Sequence, residues 1–191
     1  DAAKAEEIVP DVSRYANSQN KVSAADFFSN SAFHRRIEDL SRRVVAPALA
    51  GKFYQTYWFY ERTRGQYLNE RSRGGAAQAK AFEARNPKTQ VMTKTDVAKF
   101  ELSWQQKPHI VSQGAQKNFM AFANSVADIW ERSEADFNEL YFKNVVARAI
   151  MFNTIRADVA KAEWYDKGYL ANIVTYTMAK IAWEIEKNGR G

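Results

Sequence analysis

QTYWFYERTRGQYLNERSR, residues 55–73, places five aromatic rings, four arginines and one glycine within nineteen positions. Aromatic residues favour strands, so the first half of this stretch predicts a small β element near residues 53–61, either one strand or a strand pair. Gly65 permits a tight turn, and a short helix is expected before Gly74 and Gly75. An ordinary core does not need the arginines, and an ordinary solvated face does not need the rings.

The segment that precedes this stretch has the pattern of an amphipathic helix over residues 31–45. Its apolar residues recur at the spacing of one helical face: Phe33, Ile37, Leu40 and Val44. Four arginines fall on one arc of the remaining surface, at about 100° per residue: Arg35, Arg36, Arg42 and Arg43. Such an arc suits phosphate binding, or ion pairing with Glu38 and Asp39. Pro47 is expected to end the helix.

Capped and amphipathic segments predict helices along the rest of the chain. Residues 76–85 have high helix propensity, and Thr93 with Asp96 has the spacing of a capping box for a helix that reaches Trp104. Near the start, a helix before Pro10 and a capping box at Ser23 and Asp26 are expected in the same way.

The C-terminal half predicts three longer helices. Residues 113–130 carry an apolar stripe made of Phe119, Phe122, Val126 and Ile129. Asp136 is expected to cap a helix that is apolar on nearly all sides and therefore central. A last helix over 170–187 follows Gly168. The prediction for residues 1–191 is thus one mostly α, multi-helix globular domain with a small β element.

The composition is typical of a folded, soluble domain, with 46 % hydrophobic and 26 % charged residues. The absence of cysteine excludes disulfides and thiolate metal sites, and no apolar run reaches the roughly 18 residues of a membrane-spanning helix. The start, DAAKAEEIVP, has no signal-peptide pattern and no initiator methionine. We therefore expect a cytoplasmic location, no membrane partner, and a chain that is part of a longer protein.

The net charge of +6 is concentrated in one region of the chain. Residues 35–73 contain nine basic and four acidic residues, a local charge of +5. Clustered arginine indicates phosphate or carboxylate partners, although a solvated basic face has the same pattern.

The candidate nucleic-acid-binding residues are the arginines of this region and the rings that could stack on bases. They are Arg35, Arg36, Arg42, Arg43, Tyr57, Trp58, Arg62, Arg64, Tyr67, Arg71 and Arg73. A buried network of Glu61 with arginines, with the aromatic rings in the core, is an alternative interpretation. Contact with a partner protein is a third.

Two amide clusters form a further polar motif. Its members are Asn17, Gln19, Asn20, Gln116 and Asn118. Amides can bind adenine edges, but they more often cap helices and brace loops, and bracing is the favoured interpretation.

No catalytic, cofactor or metal site can be assigned from the sequence. His34 and His109 have no metal-ligand neighbours at useful spacing, and neither a P-loop nor a G-x-G-x-x-G motif occurs. Metal-dependent nucleases of the restriction-enzyme type need Asp/Glu-x-Lys on a strand, and no acidic residue here is followed two positions later by lysine. We therefore expect no nuclease activity from this chain alone.

Several long segments together resemble the AIPR family, the abortive-infection phage-resistance proteins of bacteria. They are YANSQNKVSAADFFSNSAFHRRIEDLSRR (15–43), YWFYERTRGQY (57–67), NPKTQVMTKTDVAKF (86–100), HIVSQGAQKNF (109–119) and GYLANIVTYTMAKI (168–181). The resemblance covers almost the whole chain and implies a role in defence against phage.

The resemblance also implies that this chain is the C-terminal portion of a longer protein. Family members carry an upstream nuclease-like region and an Asn-Gly-x-Gln-Thr motif, neither of which is in this sequence, and no catalytic residue can be carried over. The expected function is nucleic-acid binding, to DNA or RNA, in support of the upstream domain. The alternative is a structural, oligomerisation or protein-sensing domain that regulates that nuclease.

Overall fold

A computed structural model describes residue 28 and residues 30–46 and 53–189, and most of this part of the chain is helical. The α-helices in chain order are α1 (Ala32–Arg43), α2 (Gln66–Arg71), α3 (Ala76–Arg85), α4 (Lys94–Trp104), α5 (Pro108–Val111), α6 (Ala115–Ser133), α7 (Glu139–Lys161) and α8 (Leu170–Asn188). The strands are β1 (Val45–Ala46), β2 (Thr56–Tyr57), β3 (Phe59–Glu61) and β4 (Val91–Thr93). The predicted mostly α fold with a small β element is confirmed.

The β element consists of two separate two-stranded sheets. β1 pairs with β2 antiparallel, with Val45 opposite Tyr57. β3 pairs with β4 parallel, with Phe59 opposite Val91 and Glu61 opposite Thr93. The two strands within residues 53–61 therefore do not pair with each other, because each finds its partner in another part of the chain.

Helix α1 is shorter than the sequence predicted. It ends at Arg43 rather than at Val45, and Val44 already has an extended backbone that leads into β1. Strand pairing to β2 therefore ends the helical run before Pro47, which lies outside the described residues. The elements expected near Pro10 and at Ser23 also lie outside the described residues.

Helix α4 is the central helix of the fold. The capping box predicted for its first turn forms, since Thr93 accepts from the backbone N–H of Asp96 and Asp96 accepts from that of Thr93. The helix contacts α6, α7 and α8. Its buried side chains point to more than one side of the helix; they are Val97, Ala98, Phe100, Glu101, Leu102 and Ser103.

The central position expected for the helix after Asp136 is wrong. α7 buries one face through residues such as Phe142 and Val145, while Leu140 and Ile150 are exposed. Its cap is also different, because Asn138 accepts from the backbone N–H groups of Leu140 and Tyr141. Asp136 instead ends a short 3-10 turn.

The stripe predicted on α6 is buried at Phe119, Phe122 and Val126, but Ile129 is exposed. The stripe packs into the cluster that holds the inner face of α1 and the ring of Tyr60. Among the helices that the structure describes, none has the length and apolar character needed to cross a bilayer.

Candidate nucleic-acid interface

Two of the rings proposed to stack on bases lie in the core. Trp58 is 6 % exposed and Tyr67 is 4 % exposed. The Tyr67 ring packs edge-on against Phe59 and lies 5.1 Å from the ring of Phe82, and its hydroxyl donates to the carbonyl oxygen of Asn86 at 2.7 Å. Neither Trp58 nor Tyr67 is therefore open to a nucleobase. Tyr57, at the end of β2, is half-buried.

Five of the eight proposed arginines already have acidic partners. Arg36 pairs with Glu134 and lies 4.6 Å from the Trp130 ring. In the other four pairs the partners are closer in the sequence: Arg43 pairs with Asp39, Arg71 with Glu83, Arg62 with Glu38, and Arg42 with Glu70. Three of the four arginines on the arc of α1 are thus paired with carboxylates on different neighbours.

A polar network does join the arginines to the fold, but its centre is Glu38 rather than Glu61. The Glu38 carboxylate accepts from Arg62 Nε at 2.6 Å and from the side-chain amide of Gln66. Burial alone would raise the pKa of Glu38, but the hydrogen bonds from Arg62 and Gln66 outweigh burial and lower the pKa. This network ties α1 to the turn that starts α2.

Glu61 has a local role in that turn. Its carboxylate accepts from the backbone N–H groups of Gly65 at 3.0 Å and Tyr67 at 3.2 Å. Gly65 has a φ of 79°, in the left-handed region where glycine is favoured. The predicted tight turn at Gly65 is therefore confirmed, and Glu61 is its internal brace.

Three of the proposed arginines, Arg35, Arg64 and Arg73, are exposed and have no acidic partner within the described ranges. Arg64 does not stand alone, because α3 and the turn after it add further exposed cations. Residues 62–88 hold seven basic and two acidic residues, a local charge of +5. Both of the acidic residues, Glu70 and Glu83, are already paired with arginines.

Two open grooves flank the contact between Tyr67 and Asn86. The first, here the Tyr57 groove, is lined by Arg42, Tyr57, Ala81, Phe82, Arg85 and Asn86. The second, here the Arg64 groove, is lined by Glu61, Arg64, Gly65, Tyr67, Leu68, Lys88 and Val91. Because Tyr67 lines one groove and Asn86 the other, the grooves are adjacent and together present Arg64, Arg85 and Lys88.

Sequence reasoning missed Arg85 and Lys88, because the charged region was bounded at Arg73. The two lie beside the proposed residues only because β4 returns to pair with β3. The basic spacing of Lys80, Arg85 and Lys88 was visible in the sequence, but their position next to Arg64 was not.

The amide motif does not form one cluster in the described residues. Gln116 is exposed, whereas Asn118 is buried and its side-chain amide donates to the carbonyl oxygen of Thr95 at 3.4 Å. Asn118 therefore braces the start of α4. The remaining members, Asn17, Gln19 and Asn20, lie outside the described residues.

A second group of polar side chains missed by sequence reasoning is buried inside the helical core. Glu101, 2 % exposed, accepts from Arg148 at 2.6 Å through both of its oxygens and forms a hydrogen bond with Tyr141. Burial raises the pKa of Glu101, against the opposing effect of Arg148. The sequence signal was a charged residue between the apolar residues Phe100 and Leu102.

The chemistry that the two grooves offer is the binding of anionic groups. No group of three or more His, Cys, Asp or Glu side chains in the described part of the chain is placed to hold a metal ion. The grooves offer guanidinium and ammonium groups, which bind phosphate oxygens, beside the half-buried rings of Tyr57 and Phe82.

Comparison with known proteins identifies a family. The family model of the AIPR proteins matches residues 2–189. No curated protein and no solved structure matches the chain. The family match spans nearly all of the 191 residues, so the chain belongs to the AIPR family, whose role is abortive-infection defence against phage.

Proposed function

We propose that this chain is a nucleic-acid-binding module that supports a nuclease region elsewhere in an abortive-infection protein. The observation that carries the proposal is the set of exposed cations without acidic partners around the two grooves. Arg64, Arg85 and Lys88 line the grooves, and none has an ion-pair partner among the residues that the structure describes.

The charge balance supports a polyanionic ligand. The two acidic residues within residues 62–88 are occupied by Arg42 and Arg71. One further carboxylate, that of Glu61, lines the Arg64 groove and accepts from the backbone N–H groups of Gly65 and Tyr67, so cations outnumber carboxylates at the two grooves. A phosphate backbone would release counterions on binding this surface, and the affinity would fall with salt by a slope of about 0.7 to 0.9 per phosphate contact.

The test is fluorescence anisotropy with labelled single-stranded DNA, single-stranded RNA and duplex DNA at several salt concentrations. We expect Arg64→Gln with Lys88→Gln to weaken binding evenly across sequences and to reduce the salt slope by roughly one to two. Lys117→Gln with Lys161→Gln is the matched control, since it removes the same charge from α6 and α7. Equal loss in the two double variants, or no salt-dependent binding at all, would overturn the proposal.

The proposal assigns cleavage to a region outside residues 1–191. The purified chain should therefore bind without cutting when Mg²⁺ or Mn²⁺ is present. Chelator-sensitive cleavage by this chain would contradict that assignment.

One observation favours assembly as a second candidate function. Tyr176 and Trp183 on α8 and Tyr169 at its N-cap are spaced seven positions apart and are exposed. Exposed apolar side chains of this kind can mediate association. Sedimentation equilibrium at several salt concentrations measures this self-association. Association through an apolar face is insensitive to salt, whereas binding to phosphate weakens as salt rises. Tyr176→Glu should dissociate an assembly built on this face.

A further inference from the structure

Arg42 differs from Arg64 and Arg85 because its guanidinium makes three hydrogen bonds inside the protein. Its guanidinium donates to Glu70 at 3.1 Å, to the hydroxyl of Ser41 at 2.7 Å and to the carbonyl oxygen of Tyr60 at 3.3 Å. Glu38 adds a second carboxylate at 4.0 Å. A phosphate would have to displace these partners, so Arg42 is poorly suited to bind one.

The same contacts hold the guanidinium flat against an aromatic ring. Its central carbon lies 3.5 Å from the centroid of the Phe59 ring, a distance at which the planar group stacks on the ring face. Phe59 is fully buried and is packed edge-on by Tyr67 and Phe82. The guanidinium is therefore a fixed plane above a rigid aromatic floor.

Arg42 also reaches the surface. Its side chain is 27 % exposed and lines the Tyr57 groove together with Phe82, Arg85 and Asn86. The groove has a volume of about 520 Å³, within the range of roughly 300 to 1,000 Å³ that is usual for small-molecule sites. A flat, partly exposed cation in the lining of such a groove can be covered by a planar ligand.

Asn86 gives the groove a polar group that can read such a ligand. Its side-chain N–H donates to the carbonyl oxygen of Phe82 at 3.1 Å. That bond turns its carboxamide oxygen elsewhere, and in the described ranges no donor contacts this oxygen. It can therefore accept a hydrogen bond from a base amino group.

We propose that Arg42 is a base-stacking platform and that the Tyr57 groove takes one unpaired nucleobase, so that the ligand class is single-stranded nucleic acid. This inference rests on the proposed function, which assigns the neighbouring phosphates to Arg64, Arg85 and Lys88. Proteins stack splayed bases on arginine planes as well as on aromatic rings. In a duplex the bases are paired and stacked on each other, so none is available to enter the groove.

The test measures whether Arg42 senses the base rather than the backbone. Affinities are determined for a short single-stranded DNA, for the same strand with abasic sites, for its RNA counterpart and for the duplex. We expect the abasic strand and the duplex to bind about tenfold more weakly than the intact strand. Arg42→Lys keeps the charge but not the plane, so it should weaken the intact strand about tenfold and leave the abasic strand unchanged.

Arg71→Lys is the matched control, because Arg71 is also paired with a glutamate but lines neither groove. Thermal unfolding of each variant accompanies the binding data. If Arg42→Lys does not fold, Tyr57→Leu in the lining of the same groove gives the same comparison between intact and abasic strands. Smaller losses for Arg71→Lys than for Arg42→Lys support the inference.

Two outcomes would overturn the inference. In the first, the wild type binds intact and abasic strands with equal affinity. In the second, Arg42→Lys loses the same affinity for both strands; in either case the proposed function stands if the Arg64 and Lys88 double variant still binds more weakly. If none of the nucleic acids binds in a salt-dependent manner, the proposed function fails and the inference fails with it. Comparison of the DNA and RNA strands identifies which sugar the groove accepts.

Discussion

The imidazole Nδ1 of His34 lies 2.5 Å from the hydroxyl of Tyr60 in the centre of the core, and their rings are nearly parallel. Both residues are fully buried. Burial, reinforced by the positive charges of Lys94 and Arg62, lowers the pKa of His34 to about 3. His34 is therefore neutral in the folded protein and couples α1 to β3.

This relationship predicts a pH-dependent stability. The unfolded chain binds a proton at His34 below a pKa of about 6.5 while the folded chain does not. Acid therefore favours unfolding, and the contribution of His34 to the free energy of unfolding should fall by about 2 kcal/mol between about pH 7 and about pH 5. Urea unfolding of the wild type and of His34→Gln across this range measures the difference.

The comparison with the variant isolates His34 from other titrating groups. Glu38 has a lowered pKa, so it stabilises the folded state until the pH falls below the range of this experiment. Glu101 has a raised pKa, so its contribution to the free energy of unfolding rises, rather than falls, as the pH is lowered. His109→Gln is the control, because His109 is exposed. Identical pH slopes in the wild type and His34→Gln would contradict the prediction.

A second prediction concerns the buried pair of Glu101 and Arg148. Arg148→Met leaves a carboxylate without its cation in the core, which should cost about 3 to 5 kcal/mol of the free energy of unfolding. Adding Glu101→Gln removes the uncompensated charge and should restore part of that loss, because the amide can still hydrogen-bond to Tyr141. Denaturant unfolding of the two single variants and the double variant gives the coupling energy. A double variant no more stable than Arg148→Met would argue against a buried charge.

The two N-caps Thr93 and Ser31 give a third prediction as a matched pair. Thr93 forms a reciprocal capping box with Asp96, whereas the Ser31 side chain makes no capping hydrogen bond. Thr93→Ala should therefore lower the free energy of unfolding by about 1 kcal/mol, and Ser31→Ala by much less. Equal losses measured by chemical denaturation would show that the cap of the central helix contributes nothing specific.

The fourth prediction separates core rings from groove rings. Trp58→Ala removes a buried ring and should cost about 3 to 5 kcal/mol of stability, while oligonucleotide affinity per folded molecule stays unchanged. Tyr57→Leu, at a half-buried position in the groove, should cost less stability but should weaken oligonucleotide binding. Unfolding curves and anisotropy on the same protein samples check both, and loss of affinity in folded Trp58→Ala would refute the distinction.

The sequence was sufficient where structure depends on neighbouring residues. Helix α3 has the predicted bounds of residues 76–85, and the capping box at Thr93 forms. The chain also turns at Gly65, as the conformational freedom of glycine predicted. Caps, turns and amphipathic faces are determined by side chains within about one or two helical turns of each other. The candidate site was predicted in part by the same local logic, since Arg64 and Tyr57 do line grooves.

Only the tertiary structure decided which arginines are free and which helix is central. Arg36 finds its partner Glu134 98 positions along the chain, and Arg148 finds Glu101 at a separation of 47. No local pattern specifies such pairs, because they depend on how whole helices pack. By itself the sequence determined a mostly α chain with a basic, aromatic region. Packing then buried Trp58 and Tyr67 and placed the Arg42 guanidinium above Phe59. It left Arg64, Arg85 and Lys88 exposed. A charge is buried only where packing brings a partner to it, and the described part of the folded chain brings none to these three.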